Sequence, residues 1–401
     1  MKSKIVAVAL LFALVLIPVF SWLFSLQAMP DQYGHWGTLT QIASMSTACR
    51  WLSMSADGNK IVFVSEEDGD AEIFIINSDG TKLIQLTNNT SNDIYPSISC
   101  DGKKIAFISH SHDKYNLFVV NSDGTGLKQL SKDKNCYPPS ISGDGGKIAF
   151  ATFLNSFSHE KSEFFVVNSD GTELKQLSNT LSIFTIPSIS GDGSKIAFTS
   201  GSYGVWVVDS EGTGVKELFP NLRILYGAPI SADGSKVTFL ATVDGDTEVF
   251  VANTDGTELT SPTSNLPISI YNSGPSSIDN LIDFSYPYIS GDGSKIAFVC
   301  GHVFVIDCNG AGLTQVTSKV GDYVQPLISS DGSRIAFLSV VGEYKYDLFA
   351  SAEMEVLETQ ELIQFIATVV GISAVLAAIL GIGLLVYFKH ITKKLSIHVL
   401  G

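Results

Sequence analysis

The chain contains little charge and few cysteines. Asp, Glu, Lys and Arg make up 16% of its 401 residues, and acidic side chains outnumber basic ones, so that the net charge is −15. A nucleic-acid partner is therefore not expected, because phosphate binding needs a basic surface. The five cysteines form an odd number without paired spacing, which argues against a disulfide framework.

The sequence also lacks the short motifs of common enzyme classes. It contains no G-x-S-x-G elbow, no H-E-x-x-H pair and no phosphate-binding glycine loop, and its glycines recur at turn positions. No catalytic residue is assigned on this basis, and no cofactor is expected.

Both ends of the chain are hydrophobic. Residues 1–28 carry Lys2 and Lys4 ahead of about twenty apolar residues, a pattern typical of a secretory signal peptide or an uncleaved signal anchor. Residues 362–388 have no charged side chain and precede a basic flank, which predicts a transmembrane helix with a cytoplasmic tail at 389–401. We therefore expect a cell-membrane protein, single-pass if the signal is cleaved and two-pass if it is not. Residues 351–361 are the predicted linker to the helix.

One pattern recurs between the two ends. Its first half reads apolar-Ser-x-Asp-Gly-x-Lys-Ile-Ala-Phe, as in residues 188–198, and its second half resembles "FVVNSDGTGLKQL" at 118–130. Each unit holds four short runs rich in Val, Ile and Phe, separated by turn residues, and such runs predict β-strands. A four-stranded sheet that is apolar on both faces must stack against its neighbours, so the units predict the blades of a β-propeller.

The number of half-units predicts how the ring closes. There are seven first halves but six second halves, and the last unit ends after three strands near residue 350. Residues 37–44, "GTLTQIAS", match the end of a repeat but stand before the first one. We therefore predict an all-β fold: a seven-bladed propeller over residues 37–350, whose last blade takes its fourth strand from 37–44 and so covers an open edge.

These units, "SxDGxKIAF…LFVVNxDGTxxxQLT", resemble the β-propeller repeats of the TolB-type, WD40-like family, which also occur in the propeller domains of prolyl oligopeptidases. The resemblance covers roughly residues 37–350. It departs from the family in having seven units where TolB-like propellers usually have six, and no segment resembles TolB's N-terminal domain or a hydrolase domain. The resemblance implies the fold and no particular activity.

The two faces of the predicted ring differ. Asp-Gly turns occupy one face, which we call the bottom, whereas the hairpins between the second and third strands and the connections between blades occupy the top. Loop length varies on the top face, from 300–302 to 152–163 and the insertion 261–284. Variable loops on a rigid scaffold are common binding surfaces. Both hydrophobic ends attach at the bottom, so we expect the bottom to face the membrane.

Histidines and aromatic residues of the top loops are the candidate ligand-binding residues. They are His110, His112, Tyr115, His159, Tyr203, Tyr226, Tyr271, Tyr323, Tyr344 and Tyr346. A histidine metal site, as in some propeller lyases, is an alternative that would add His302, but hairpin tips lie away from the central axis and solvated histidines are the simpler interpretation.

Three further patterns suggest additional sites. The carboxylates of 66–72 and 243–248 suggest calcium, but Asp68-Gly69 and Asp244-Gly245 are more simply hairpin turns. Overlapping sequons make Asn88 and Asn89 glycosylation candidates where the host glycosylates. A Lys or Arg after each Asp-Gly turn could face lipid head groups, but pairing with turn carboxylates is the simpler reading.

The sequence leaves three functions open. The first is a membrane-anchored scaffold that binds a protein, peptide or glycan through the top face. The second is a hydrolase or lyase with a site at the mouth of the central channel, which convergent polar side chains near the first strand of each blade would support. The third is a surface-layer protein that self-associates.

Overall fold

The computed structural model describes residues 39–44, 49–66, 69–112, 114–132, 135–153, 162–178, 186–200, 204–264, 266, 286–318, 321, 323–342 and 345–351. None of these residues belongs to a helix that could cross a membrane. The predicted signal segment at 1–28, linker, transmembrane segment at 362–388 and tail lie outside the described residues.

The described chain forms twenty-eight strands. They are β1 (Leu39–Ser44), β2 (Cys49–Met54), β3 (Lys60–Ser65), β4 (Glu72–Asn77), β5 (Ile84–Gln85), β6 (Asn92–Ile98), β7 (Lys104–Ser111), β8 (Lys114–Asn121), β9 (Lys128–Gln129), β10 (Asn135–Cys136), β11 (Ser140–Ile141), β12 (Lys147–Phe153), β13 (Ser162–Asn168), β14 (Lys175–Ser178), β15 (Ser188–Ile189), β16 (Lys195–Ser200), β17 (Gly204–Asp209), β18 (Lys216–Leu218), β19 (Arg223–Tyr226), β20 (Lys236–Val243), β21 (Asp246–Asn253), β22 (Tyr288–Ile289), β23 (Lys295–Val299), β24 (Val303–Asp307), β25 (Thr314–Gln315), β26 (Tyr323–Ile328), β27 (Ile335–Gly342) and β28 (Lys345–Ser351).

These strands build seven antiparallel sheets, which are the seven predicted blades. Blades 1 to 7 are β2-β3-β4-β5, β6-β7-β8-β9, β10/β11-β12-β13-β14, β15-β16-β17-β18, β19-β20-β21, β22-β23-β24-β25 and β26-β27-β28-β1. We call the four strands of a blade a, b, c and d from the inside outwards. In blade 3 strand a is split into β10 and β11, and in blade 5 a bridge from Thr260 to Val251 stands at the place of strand d.

Strand β1 closes the ring as predicted. It pairs antiparallel with β28, with Leu39 opposite Ser351 and Ser44 opposite Asp347. Ile42 of β1 is buried with Leu348 and Tyr346 in one apolar cluster that reaches blade 1. Because Leu39 and Ser351 lie at the end of blade 7 that carries the Asp-Gly turns, both flanking parts of the chain leave from the bottom face.

The a–b turns repeat one set of side-chain contacts. In blade 1 the Ser55 hydroxyl donates to Asp57 Oδ1 at 2.6 Å, and the Asn59 amide donates to the same oxygen at 3.0 Å. Gly58 has φ +67°, a left-handed conformation that favours glycine. This explains why the sequence repeats Ser-x-Asp-Gly wherever strand a meets strand b.

The turns of neighbouring blades join in a continuous circle of backbone hydrogen bonds. The donor–acceptor pairs are Ala56 N to Cys100 O, Asp101 N to Gly143 O, Asp144 N to Gly191 O, Gly191 N to Ala232 O, Ala232 N to Gly291 O, Asp292 N to Ser330 O and Ser330 N to Ala56 O. The last pair connects blade 7 to blade 1. The ring is therefore closed on the bottom face as well as by β1.

The repeated cations form a second circle, and they mostly bind neutral groups of the next blade. Lys60 Nζ donates to Gly102 O at 2.8 Å, and Lys104 Nζ donates to Ser169 Oγ at 2.7 Å. Arg334 completes the circle through Asn59 Oδ1 at 2.8 Å. Among these cations, Lys147 binds Glu211 and Lys295 binds Asp307 in ion pairs. The predicted pairing with turn carboxylates thus gives way in most blades to turn carbonyls and hydroxyls.

The core consists of the repeated apolar strands. The Phe that ends each Lys-Ile-Ala-Phe run or its variant is fully buried in all seven blades: Phe63, Phe107, Phe150, Phe198, Phe239, Phe298 and Phe337. None of the five cysteines forms a disulfide bond in the structure.

Candidate binding site in the axial cavity

The first strand of several blades contains a backbone irregularity that faces the axis. The pairing of strand a with strand b shifts register between Arg50 and Ser53, between Ile94 and Ser97, and between Val324 and Leu327. The residues inside these shifts have positive φ: Trp51 at 52°, Tyr95 at 57° and Gln325 at 52°. Non-glycine residues in this conformation cost about 1–3 kcal/mol each and concentrate at functional sites. Blades 7, 1 and 2 are neighbours, so the three strained residues lie side by side.

These residues line a cavity of about 250 Å³ to which every blade contributes, through strand a or, in blade 5, through the residues that follow it. The lining is Trp51, Leu52, Ser53, Tyr95, Pro96, Ser97, Ile98, Pro138, Pro139, Ser140, Ile141, Ile186, Pro187, Ser188, Gly227, Ala228, Pro229, Tyr286, Tyr288, Gln325 and Leu327. No Asp, Glu, His, Lys or Arg is among these described lining residues. The cavity is therefore an aromatic and proline-rich surface without formal charge.

All four serines in the lining accept hydrogen bonds from the backbone of the next blade. Ser53 Oγ accepts the Ile98 amide at 3.1 Å, and Ser97 Oγ accepts the Ile141 amide at 3.1 Å, so each links strand a of one blade to strand a of the next. Ser140 and Ser188 do the same for the following blades. Gln325 Oε1 accepts the Leu52 amide at 3.1 Å and links blade 7 to blade 1.

One polar atom at the cavity is not used by the scaffold. Trp51 Nε1 is shielded from solvent and has no hydrogen-bond partner in the described structure. The Trp51 ring contacts the Tyr95 ring at a centroid distance of 4.5 Å, and the Arg50 guanidinium lies 6.0 Å from the indole centroid. A buried indole N–H usually has an acceptor. The Trp51 indole N–H is therefore a buried donor without an acceptor, beside two aromatic rings at the cavity wall.

Tyr288 contributes a second uncharged polar group. Burial raises the pKa of its phenol to about 12. The hydroxyl therefore stays protonated throughout the physiological range and can both donate and accept a hydrogen bond.

The top-face candidates whose side chains the structure describes are not among the residues that line this cavity. His110 stacks on Tyr115 at 4.0 Å across the b–c hairpin of blade 2, and His112 is exposed with Nδ1 2.7 Å from Ser111 Oγ. Tyr323 packs edge-on against Phe337, and Tyr346 is 9% exposed within the core. His159, Tyr203, Tyr271 and Tyr344 lie outside the described residues, and for Tyr226 only the backbone, in β19, is described.

The remaining candidates have local roles. Asp244 and Gly245 have φ 54° and 97° and join β20 to β21, so this pair forms a hairpin turn. Asn88 is exposed, whereas the Asn89 side-chain amide donates to Asp93 Oδ2 at 2.7 Å. Within the described ranges, no group of three or more His, Cys, Asp or Glu side chains could hold a metal ion. His302 Nδ1 lies 3.2 Å from Thr317 Oγ1.

A sequence signal for the cavity was present. A proline precedes the Ser-x-Asp-Gly turn by a few residues in six units, as in "YPSIS" at 95–99 and "IPSIS" at 186–190. Proline lacks a backbone donor and is confined to edge strands, and strand a is the inner edge of each blade. This recurring proline, with a Tyr or Gln beside it in four of the six units, marks the axial lining that the turn pattern alone did not show.

Comparisons with known proteins agree with the fold. Residues 34–159 match the family model of the TolB beta propeller domain. No curated protein matches the sequence.

Solved structures with a similar fold have diverse activities. An oligogalacturonate lyase from Vibrio parahaemolyticus aligns at 14% identity and TM-score 0.58, covering 79% of this chain and 93% of the lyase. The propeller domain of the Trilobed protease from Pyrococcus furiosus aligns at 14% identity and TM-score 0.54, covering 78% and 96%. The acylaminoacyl peptidase of Pyrococcus horikoshii aligns at 14% identity and TM-score 0.54, covering 80% and 54%. Identities this low show a shared fold alone. The described chain is thus a seven-bladed β-propeller, and its residues 34–159 match the model of the TolB beta propeller domain.

Proposed function

We propose that this protein is a membrane-anchored, extracytoplasmic β-propeller that binds an uncharged segment of a partner protein or glycan in its axial cavity. The hydrophobic segments 1–28 and 362–388 support the location. The binding role is supported by the aromatic and proline-rich lining that all seven blades supply.

The observation that carries the proposal is the unpartnered N–H of Trp51, held in a strained conformation beside Tyr95. Aromatic faces bind apolar surfaces such as sugar rings or proline and aromatic side chains, and a single shielded donor sets the orientation of what they bind. Because the described lining has no charge, a charged ligand would lose its hydration there without an opposite charge in return. The favoured ligand is therefore uncharged where it meets the cavity.

The test is site-specific photo-cross-linking in whole cells. A photoreactive amino acid replaces Tyr95 in the cavity or, as a matched control in the same blade, Leu127, which is 57% exposed on the bottom face. We expect a defined adduct from position 95 and none from position 127. Equal adducts from both positions, or none from position 95, would contradict an axial site.

The role of the indole N–H can be separated from that of its ring. Trp51→Phe keeps an aromatic face but removes the donor, and we expect affinity for the cross-linked partner to fall roughly 2–10-fold, the range of one neutral hydrogen bond. Trp206→Phe in blade 4, outside the cavity lining, is the control and should leave the affinity unchanged. Binding that is unaffected by Trp51→Phe would remove the indole from the site.

The alternative function, a hydrolase or lyase with a site at the channel mouth, has its support in the fold shared with an oligogalacturonate lyase and peptidases. The convergent polar side chains that would favour it are serines and Gln325, which the scaffold uses. Substrate turnover by the purified full chain that is lost on substitution of Tyr286 or Tyr288 would favour an enzyme over a binding module.

A further inference from the structure

Two carboxylates are buried near the top face, where blade 1 meets blade 2. Glu72 is the first residue of β4, and Asp93 is the second residue of β6. They are 2% and 1% exposed, respectively. Carboxylates are almost never this buried unless they are paired with a cation or a metal.

Asn89 joins the two groups but satisfies only one oxygen of each. Its backbone amide donates to Glu72 Oε1 at 2.7 Å, and its side-chain amide donates to Asp93 Oδ2 at 2.7 Å. The other two oxygens, Glu72 Oε2 and Asp93 Oδ1, are inaccessible to solvent and have no hydrogen-bond partner in the described structure. No salt bridge among the described residues involves either carboxylate.

Neighbouring blades show that the fold does not need a charge at the Asp93 position. Asp93 lies two residues before the left-handed Tyr95, and Cys49 lies two residues before the left-handed Trp51. Cys136, beside the Asn135 that corresponds to Asn92, takes the same place in blade 3. Both cysteines are buried. Asp93 therefore places a carboxyl where blades 1 and 3 have a thiol.

The Glu72 position varies as well. Ile73 N donates to Thr87 Oγ1 in blade 1, and Leu117 N donates to Ser131 Oγ in blade 2. Because these hydrogen bonds are equivalent, the residues just before the two donors, Glu72 and Asn116, occupy the same position in their blades. The next junction thus combines an amide with a thiol, Asn116 with Cys136. At the junction of blades 7 and 1, Asp347 lies near Cys49, a carboxyl beside a thiol. Of these three junctions, the one between blades 1 and 2 alone brings two carboxyls together.

We propose that the junction of blades 1 and 2 binds a divalent cation of the calcium class, with Glu72 Oε2 and Asp93 Oδ1 as ligands. Calcium prefers carboxylate oxygens combined with neutral oxygens. Neutral hydroxyl oxygens are close by, because Thr87 interacts with both carboxyls and Ser109 with that of Asp93. A cation removes the penalty of burying two negative charges together, which is several kcal/mol per ion when uncompensated.

One further observation fits this proposal. Glu72 belongs, with Asp70, to the acidic stretch 66–72 that suggested calcium in the sequence. Two carboxylates are few for a calcium site, so we expect a dissociation constant of about 10⁻⁴–10⁻³ M, the range of extracellular calcium modules.

The experiment is calcium titration of the full chain in detergent after EDTA treatment, followed by isothermal calorimetry. We expect one saturable site in the wild-type protein, and at least tenfold weaker binding in Glu72→Gln and in Asp93→Cys. Cysteine already occupies the Asp93 position in blades 1 and 3, so Asp93→Cys should fold. The matched control is Asp347→Asn, which removes a carboxylate from the junction of blades 7 and 1 and should leave calcium binding unchanged.

Three results would overturn the proposal. They are no saturable binding to the wild-type protein, unchanged binding in both junction variants, or an equal loss in Asp347→Asn.

Discussion

The pKa values of the carboxyl groups in this protein are shifted in two opposite directions, down in the turns and up at the junction of blades 1 and 2. At Asp57 desolvation alone would raise the pKa, but hydrogen bonds from Ser55 and Asn59 outweigh it and lower the pKa of this turn carboxyl. The same balance lowers the pKa of the equivalent Asp101, Asp192, Asp233, Asp292 and Asp331. At Glu72 and Asp93 burial dominates and raises the pKa. The turns therefore favour the charged form of the side chain, and the junction of blades 1 and 2 favours the neutral form.

These directions set the sign of a pH experiment on Glu72. A carboxyl with a raised folded-state pKa contributes stability that is fully present below its unfolded pKa, about 4.3, and is lost as pH rises through the folded value. In EDTA, Glu72→Gln, which stays neutral, should therefore gain in melting temperature relative to the wild-type protein as pH rises from about 4 to 8. Thermal melts of both proteins across this range provide the measurement.

Asp57→Asn is the control of opposite sign. Its lowered pKa means that the Asp57 carboxylate stabilises the fold above the unfolded pKa, and that this stability is lost as pH falls through the folded pKa. The variant should be less stable than the wild-type protein at neutral pH and approach it in acid. If the difference in melting temperature between Glu72→Gln and the wild-type protein does not change with pH, the pKa of Glu72 is not raised as its burial implies.

Strand β1 is the element on which closure of the ring depends. Its alternation places Ile42 in the core at 9% exposure and leaves Gln41 exposed. We expect Ile42→Ala to destabilise the protein by about 2–4 kcal/mol, the usual range for removing a buried aliphatic side chain, and to lower the melting temperature. Gln41→Ala should have little effect.

Equal effects of Ile42→Ala and Gln41→Ala would mean that β1 contributes backbone pairing without core packing. The comparison is informative because both residues lie on one strand, which pairs with β28.

The sequence could predict the elements better than the site. The Asp-Gly turns and apolar runs predicted seven blades and the closing role of 37–44, because turn chemistry and alternation act locally. Tyr346 and His110 were read as loop residues, but Tyr346 packs in the core and His110 stacks within its own hairpin. The axial cavity depends on which residue of strand a takes positive φ, and this follows from contacts between seven distant segments that no local pattern encodes.

The whole molecule has two distinguishable faces, and their orientation can be tested in intact cells. Lys114 at the start of β8 is exposed on the top face, and Leu127 is exposed on the bottom face of the same blade. With the bottom towards the membrane, a bulky membrane-impermeant thiol reagent should label Lys114→Cys several-fold faster than Leu127→Cys. Labelling rates measured by gel shift test this, with the wild-type protein correcting for its native thiols.

Solubilised protein controls for local reactivity. In detergent the two introduced thiols should react at similar rates, since both positions are exposed. A faster reaction at Leu127→Cys in cells would reverse the orientation, and no labelling at either position would contradict an extracytoplasmic propeller.

The pairing of Leu39 with Ser351 also has a kinetic consequence. Strand β1 can pair with β28 only after roughly three hundred further residues have been synthesised, and closing so large a loop is entropically costly. Until then the nascent protein has a free β-edge at each end of an open arc, and its folding rate should be limited by this long-range step. Strand β1 must therefore stay without its partner until the last blade has been synthesised, so the ring can close only after β28 has formed.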